Sequence, residues 1–418
     1  MNIQSKPISL RTITFIAAAT FLCYEMVLQV ALAVVTQPLM AAAGLNATHL
    51  GWLGSCYFLS YTFMQIPAGL LFDRFSCRNV MLLSALCCAI GALIFAYFTS
   101  NVFAIYLARF LIGAGSAFPF VGLLVVASNC FRPESFPMFV GITQILAAGG
   151  ALLGSGPLAK LVSNIGWLLA MKYTALLGLA CVITIYFGLF LLKKNHNKDD
   201  NSSNVLADIK VITNKKQTWK IAAYAFSNWG PMIILSSLWG EPFLVEKLNI
   251  TIAQSANIIE FLWIGLSIGS FSLGAIAKSF KMQQKCMFIT AILGTIASII
   301  FIYGDFSSSY YYLLSTLIGI ASAGQILSFS MVKKINTDNL VGTAVGFNNM
   351  SVVAGGFFLQ PIVGQLLQLF WDGKVINNAP YYGVSAYKTG LIIIPICYFI
   401  SVIVSLFLNE NKGSNSAT

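Results

Sequence analysis

The sequence predicts an all-α membrane protein with twelve transmembrane helices in two parallel six-helix repeats and with both termini in the cytoplasm. Composition is the first observation behind this fold class. Of the 418 residues, 58% are hydrophobic and only 9% are charged, and the mean hydropathy is +0.81. A soluble domain of this composition would expose large apolar patches to water, so the chain requires lipid around it.

The spacing of the apolar runs is the second observation. Each run is close to the ~20 residues that a helix needs to cross the hydrocarbon core. No alternating strand pattern competes with them, and the first run lacks the small-residue cleavage site of a signal peptide. The predicted spans are residues 12–36, 50–72, 79–98, 103–129, 137–159, 167–192, 218–245, 252–277, 286–304, 310–332, 342–370 and 385–408.

An internal repeat is the third observation. The segment LIGAGSA at 111–117 recurs as LIGIASA at 317–323, a shift of 206, and LNAT at 45–48 recurs as LNIT at 248–251, a shift of 203. Glycine pairs recur at a shift of 205. These agreeing shifts predict two halves that run parallel in sequence, at 1–192 and 218–408, with a linker at 193–217 and a disordered tail at 409–418.

Lysine and arginine residues set the predicted orientation. Most cations outside the spans lie on the side that holds both termini, which the positive-inside rule assigns to the cytoplasm. The net charge of +11 therefore reflects topology and contact with anionic lipid, and we expect no nucleic acid partner. Within the linker, VLADIKVI at 205–212 fits a short amphipathic helix on the membrane surface and equally a flexible connection.

Several functional classes find no support in the sequence. It has no glycine-rich loop with a following lysine to bind ATP phosphates. Its nine cysteines are scattered without a CxxC pair, so we expect no metal site and no cofactor. A membrane enzyme would need clustered His, Asp or Ser chemistry at helix ends, and a sensor would need an output domain larger than the longest loop, which has about 25 residues.

One short loop contains three charged residues within six positions. The segment GLLFDRFSCR at 69–78 resembles the signature between helices 2 and 3 of the major facilitator superfamily. Gly69 would allow close helix approach, and the family's geometry implies that the Asp73 carboxylate lies at the N-terminal end of helix 11, near Gly342. Ordinary positive residues beside a turn would explain Arg74 and Arg78 but not the aspartate. We expect all four loop residues to act in closing a cytoplasmic gate.

A second signature lies in the predicted fourth span. The segment YLARFLIGAG resembles the family pattern Arg-x-x-x-Gly-x-Gly, and Arg109, Gly113 and Ser116 share one helical face. A cation inside the bilayer is costly and normally faces a water-filled cavity with an anionic partner. Arg109 lies about six residues, or ~9 Å, from the outer end of the span, and at this depth its guanidinium does not easily extend back to the membrane surface. We therefore expect it in the cavity.

Three glutamates lie in or near the predicted spans. Glu25 is near the middle of the first span with Gln29 one turn on, and Glu260 is in the eighth. A carboxyl group in mid-membrane is costly as an anion and tends to take up a proton, so we expect Glu25, and after it Glu260, to carry the coupled proton. A structural hydrogen bond is the alternative role of Glu25. Glu241, at the outer end of the seventh span, is expected to be exposed to water and to lie outside the core site.

Amide side chains complete the expected site. The family lines its central cavity with helices 1, 4, 7 and 10, assisted by 2, 5, 8 and 11. Each amide at a matching place could equally bond two helices together. The antiporter signature of helix 5 is only partly present, because its Gly-Pro pair is displaced to Gly156 and Pro157. The amides are Gln29, Gln144, Asn228, Gln325, Asn348 and Asn349.

The resemblance implies a secondary transporter that works by alternating access without ATP. Two opposite charges in one cavity favour a zwitterionic or carboxylated solute such as an amino acid, a short peptide or an organic acid, with Arg109 on the carboxylate. We expect proton-coupled uptake by a monomer in the inner membrane. A proton-linked exporter of drugs or metabolites is the alternative. The first two spans are similar to bacterial nutrient-uptake members and to the lysosomal dipeptide-transporter branch.

Overall fold

A computed structural model describes residues 7–132, 135–190, 205–337 and 340–409, with the backbone alone at positions 73, 136, 137, 205 and 206. These residues are mostly helical. Residues 193–204 of the predicted linker and 410–418 of the predicted tail lie outside the described residues. The division into two halves, the linker and the tail therefore stays a prediction.

In the first half, three of the predicted spans are divided, at Val35, at 117–118 and at Ser155. Pro119 and Pro157 follow the last two interruptions, and proline suits the first turn of a helix because no intrahelical partner exists there for the N–H that it lacks. The helices are α1 Ile8–Val34, α2 Thr36–Ala43, α3 Ala47–Arg74, α4 Cys77–Tyr97, α5 Val102–Ser116, α6 Pro119–Cys130, α7 Phe136–Gly154, α8 Gly156–Ile165 and α9 Trp167–Gly188.

The second half begins with the described part of the linker, which is helical and not a plain flexible connection. A π-helical turn, Leu235–Trp239, joins α11 to α12, and a 3-10 turn, Ala323–Gln325, joins α15 to α16. A short antiparallel hairpin of β1 Val375–Ile376 and β2 Ala379–Pro380 comes after α17. The helices are α10 Val205–Thr213, α11 Lys216–Ile234, α12 Gly240–Leu248, α13 Ile252–Ile276, α14 Phe280–Tyr303, α15 Ser308–Ser322, α16 Ile326–Ile335, α17 Val341–Leu369, α18 Val384–Gly390 and α19 Ile393–Leu406.

Ten helical segments of the described chain are long and apolar enough to cross a membrane. Helix α3 and the α11 to α12 segment occupy the places of the predicted second and seventh spans but are not among the ten. Both contain charged residues near an end, with Arg74 in α3 and Lys216 and Lys220 in α11. A helical, multi-pass architecture is confirmed, whereas twelve spans and cytoplasmic termini remain predictions.

Glycines bring helices into close contact at equivalent places in the two halves. A Cβ atom on Gly113 of α5 would collide with the carbonyl of Tyr57 in α3, and one on Gly319 of α15 would collide with the carbonyl of Leu262 in α13. The glycines are 206 residues apart and their partners 205, which are the shifts of the sequence repeat. Helix pairs of this kind need a small residue because the backbones nearly touch.

The halves meet closely at the end of the bundle that holds the start of α3, which we call the outer end. A Cβ on Gly51 would lie 2.6 Å from the carbonyl oxygen of Gln360 in α17. The Tyr382 hydroxyl accepts the backbone N–H of Ala47 at 2.9 Å and donates to Oε1 of Gln368 at 2.6 Å. The second half therefore supplies an acceptor to the first turn of α3.

Packing is looser at the opposite end, which holds Ile8 and Arg74 and which we call the inner end. Asn349 of α17 still donates to Oε1 of Gln65 in α3 at 2.6 Å. Beyond that pair, no described atom outside the local backbone of the same helix lies within 4 Å of the position that a Cβ would take on the three glycines nearest the inner end of these helices, which are Gly69, Gly342 and Gly346. In the described residues, the two halves are thus packed together at the outer end and are separated at the last turns of the inner end.

Candidate functional site

The first polar cluster lies inside the first half and is centred on Tyr57. The Tyr57 hydroxyl donates to Oε1 of Glu25 at 2.7 Å, and Oε1 of Gln29 lies 3.5 Å from the same hydroxyl. The guanidinium carbon of Arg109 lies 4.8 Å from the centre of the tyrosine ring. All four side chains are at most 9% exposed. The structure thus brings Glu25, Gln29 and Arg109 together around a residue that sequence reasoning did not single out.

Arg109 is buried with few partners. Its Nη1 donates to the backbone carbonyl of Leu28 at 3.0 Å, while Nε and Nη2 find no hydrogen-bond acceptor among the described residues. The aromatic face of Tyr57 attracts the cation but does not accept these two N–H groups. Leaving buried charged donors unpaired is costly, so the arrangement favours an acceptor that the protein itself does not provide.

A small cavity lies beside Arg109, between α1, α4, α5 and α9. Its volume is about 20 Å³, which accommodates about one water molecule and no organic solute. Arg109 is therefore closed off in this conformation, and a solute would reach it only after the surrounding helices move. Besides Arg109, the cavity is lined by Leu28, Ala31, Leu32, Ala92, Phe95, Ile112, Met171 and Thr174.

Three buried amides of the second half keep an unpaired oxygen. Asn228 donates to the carbonyl of Ala321 at 3.3 Å and Asn348 donates to Oγ of Ser328 at 2.8 Å, so both bond one helix to another. Their Oδ1 atoms, and Oε1 of Gln325, have no partner among the described residues. These amides can therefore hold helices together and still accept hydrogen bonds from a solute.

Two further amides lie between the halves. Asn349 bonds to Gln65, whose Nε2 is buried without a partner, and sequence reasoning missed Gln65 although it is a polar residue in an apolar stretch of α3. Gln144 of α7 is exposed and makes no described hydrogen bond to the second half.

Glu260 does not join the Tyr57 cluster. Its Oε1 accepts the backbone N–H of Gly156 at 2.6 Å, across the two halves at the outer end. Glu241 lies beside it, and the expectation that Glu241 is wet is wrong, because its side chain is 0% exposed. Every residue of the π-helical turn and the first five residues of α12, Gly240–Leu244, are buried, so protein covers all faces of this segment and Glu241 is shielded from water.

The predicted gating residues make no described contact across the halves. Gly69 faces open space, and Arg74 is exposed. The Arg78 guanidinium carbon lies 4.6 Å from the ring centre of Tyr186, in the same half. The side chain of Asp73 lies outside what the structure describes, so its contact with the start of α17 stays a prediction.

Metal-binding residues are not gathered anywhere in the described chain. No group of three or more His, Cys, Asp or Glu side chains there is placed to hold a metal ion. All nine cysteines are free thiols, and most of them are buried among apolar side chains.

A multi-pass helical bundle with buried polar clusters, one of them inside the first half and one between the halves, is the structure of a membrane transporter. The family model of the Major Facilitator Superfamily matches residues 14–361, and the chain belongs to this family. The family and the relatives found are transporters.

Two Bacillus subtilis (strain 168) proteins are among the relatives. The chain is 20% identical over 385 residues to the hexuronate transporter, an alignment that covers 77% of this chain and 88% of the relative. It is 24% identical over 266 residues to the uncharacterized transporter YybO, which covers 59% of this chain and only 60% of that protein's length.

A solved structure shows the same fold. The bacterial homolog to the human lysosomal transporter Spinster, in an inward-facing and unoccupied conformation, superposes with a TM-score of 0.76 at 16% identity over 97% of both chains. This similarity shows that the helices are arranged in the same way. It does not identify the residues that bind a solute in this chain.

Proposed function

We propose that the protein carries a small carboxylated solute across the inner membrane by alternating access, with uptake coupled to protons. The observation behind the solute class is Arg109, a buried cation with two N–H groups that no described residue accepts. A guanidinium presents its donors in a planar fork that matches a carboxylate. The relative named as a hexuronate transporter carries a solute of this chemistry.

The geometry favours an organic acid over a zwitterion. Glu25 accepts the Tyr57 hydroxyl and Arg109 lies over the face of the same ring, so the amine of a zwitterion would have to compete with that hydroxyl for Glu25. A simple carboxylate needs only Arg109. The unpaired oxygens of Asn228, Gln325 and Asn348 would then accept from hydroxyl groups of the solute.

Proton coupling rests on Glu25. Its side chain is 2% exposed, its hydrogen bond comes from the neutral Tyr57 hydroxyl, and no described lysine or arginine nitrogen forms an ion pair with it. A buried carboxylate without a cation is costly, whereas the neutral acid is not. Glu25 is therefore suited to bind a proton from one side of the membrane and to release it when hydrated.

A ligand screen tests the proposed function. We expect small organic acids to raise the thermal unfolding midpoint of the purified protein, and their uncharged amides to leave it unchanged, because only the carboxylate pairs with Arg109. The acids that bind should then accumulate in proteoliposomes when the pH outside is lower than inside. Equal stabilisation by acids and amides would contradict the solute class, and accumulation without a pH gradient would contradict proton coupling.

The predicted gate at the inner end is tested separately. The open packing around Gly69 and Gly342 fits a conformation in which that gate is open. Asp73→Asn should then shorten the time that the opposite conformation lasts, slow transport several-fold and leave the dissociation constant of the solute within about threefold. Lys281→Gln, at an exposed residue outside the predicted gate, is the control. The role of Asp73 would be contradicted if transport kept its rate and thiol labelling at the inner end did not increase.

A further inference from the structure

The contact between the halves at the outer end is built on a break in the first half. Helix α7 ends at Gly154 and α8 begins at Gly156, so Ser155 lies between two helices. The break leaves the first N–H groups of α8 without helical partners. A side chain on Gly156 would not fit, because its Cβ would lie 2.6 Å from Oδ1 of Asn257 and would collide with the Glu260 carboxylate.

Two carboxyl groups of the second half face this break. Glu260 of α13 accepts the Gly156 N–H at 2.6 Å, and Glu241 of α12 accepts the Ser155 hydroxyl at 3.1 Å. The acceptors therefore bond to adjacent residues of the first half. Ser155 Oγ also lies 3.5 Å from the carbonyl oxygen of Ala256, which completes the contact between α13 and the break.

The two carboxyl groups have different surroundings. Glu260 is partly exposed, accepts a backbone N–H at the N-terminal end of α8, and lies within electrostatic reach of the exposed Lys160, so an anion there has partners that offset part of the cost of its burial. Glu241 is fully buried, and its Oε2 has no hydrogen-bond partner among the described residues. An apolar cluster of Val34, Ala159 and Ala256 lies at the same contact.

Charged groups on the other elements around Glu241 interact with partners other than Glu241. No described lysine or arginine nitrogen forms an ion pair with Glu241. On α12 and its neighbours, Lys247 donates to the carbonyls of Phe301 and Ile302, the Tyr381 hydroxyl donates to Glu246, and Lys388 faces Asp305 at 3.8 Å. On α1, the charged group nearest in sequence to the contact is Glu25, which is bonded to Tyr57.

We propose that Glu241 is a proton-binding site of the outer gate, occupied when the halves are closed there and emptied to the outer solution when they open. A buried carboxylate without a cation is unfavourable, while a protonated carboxyl group is neutral. Opening separates Glu241 from Ser155 and exposes it to water, where the anion is favoured. Glu260, which is partly exposed and accepts the Gly156 N–H, supplies the second carboxyl contact to the break.

The direction in which pH shifts the outer gate follows from the different surroundings of Glu241 in the closed and open states. The closed outer end binds the proton more tightly than the open one, so a lower pH outside shifts the population toward closure. In the proposed transport cycle, on which this direction depends, a proton taken from outside would then accompany the step that turns the site toward the inner end. Because this proton comes from the outer solution and returns to it when the outer end reopens, Glu241 would make closure respond to the outside pH without carrying a proton across the membrane, a role separate from that of Glu25.

Hydrogen exchange of the purified full-length protein tests the proposal without a substrate. Exchange of segments 152–165 and 240–256 should slow by about tenfold in the wild type, after correction for the intrinsic rate, between about pH 8 and about pH 5.5. Glu241→Gln mimics the neutral acid and should be slow at both pH values. Glu246→Gln, five residues on in the same helix, is the matched control and should retain the wild-type response.

Three results would overturn the proposal. If the corrected hydrogen exchange of these two segments in the wild type does not change with pH, the outer gate does not respond to protons. This measurement needs no variant. A Glu241→Gln protein with the wild-type response would place the proton elsewhere. Protection that depends on the sodium concentration at fixed pH would assign the oxygens around the break to a sodium ion. Because no solute is present, these outcomes leave the ligand screen for carboxylates unaffected.

Discussion

Replacing Arg109 should have the largest effect on solute binding. Arg109→Gln removes the only described cation of the Tyr57 cluster, and we expect binding of carboxylated solutes to fall by at least about 100-fold, since a charge-assisted pair of hydrogen bonds is lost. Arg109→Lys keeps the charge but loses the planar fork, which should cost on the order of 1 to 3 kcal/mol, or about 5- to 150-fold in the dissociation constant. Isothermal titration with the acids found in the screen measures both.

The uncharged amide of the same solute is the control ligand for Arg109. Its weak binding should change little in either variant, because the amide never formed the ionic pair. The pH profile of transport should also stay in place in Arg109→Lys, since the proton is assigned to a carboxyl group. Equal affinity of the wild type and Arg109→Gln for carboxylated solutes would remove Arg109 from the binding site and reduce it to a structural cation on Tyr57.

Glu25→Gln should separate accumulation from exchange. The glutamine oxygen can still accept from the Tyr57 hydroxyl, so the cluster keeps its packing while it loses its titratable group. We expect accumulation driven by a pH gradient to fall to the level of passive equilibration. Exchange of solute already present on both sides should continue, because it does not require an empty, deprotonated carrier to return. Counterflow and gradient-driven uptake in the same proteoliposomes measure the two activities.

Tyr57→Phe is the matched variant for the same cluster. It removes the hydroxyl that donates to Glu25 and keeps the ring under Arg109, so solute affinity should persist while the pH dependence of uptake moves. Gradient-driven accumulation that survives in Glu25→Gln with an unaltered pH profile would move the coupling role to Glu260. Loss of exchange together with accumulation would instead show that Glu25 contacts the solute.

Much of the helical architecture could be predicted because it depends on local sequence. The predicted span 252–277 matches α13, Ile252–Ile276, since Thr251 caps the helix and hydrophobic residues fill one length of bilayer. The π-helical turn could not be predicted. Gln360, 127 residues further along the chain, packs against it and donates to the carbonyl of Ile233 at 3.2 Å and to Ser237 at 2.9 Å. Such a partner is known only from the fold.

The candidate site was predictable where a charge lies in an apolar segment. Glu25 and Arg109 stand out for that reason, and the structure places both against Tyr57. The tyrosine itself gave no signal, because tyrosines are common in membrane helices and its role depends on contacts from α1 and α5. The burial of Glu241 could not be predicted, because it depends on contacts with Ser155 and with other helices that are distant in sequence.

The hydroxyl of Tyr382 makes the start of α3 depend on the other half. While the outer end is closed, that hydroxyl accepts the Ala47 N–H, one of the helix donors that no residue of the same helix can pair. Separation of the halves would hand this N–H to water, while the capping pair of Asn46 and His49 holds the first turn of α3 in place. The amide of Ala47 would thus become exposed at each opening, and its hydrogen exchange would report that opening without any attached label.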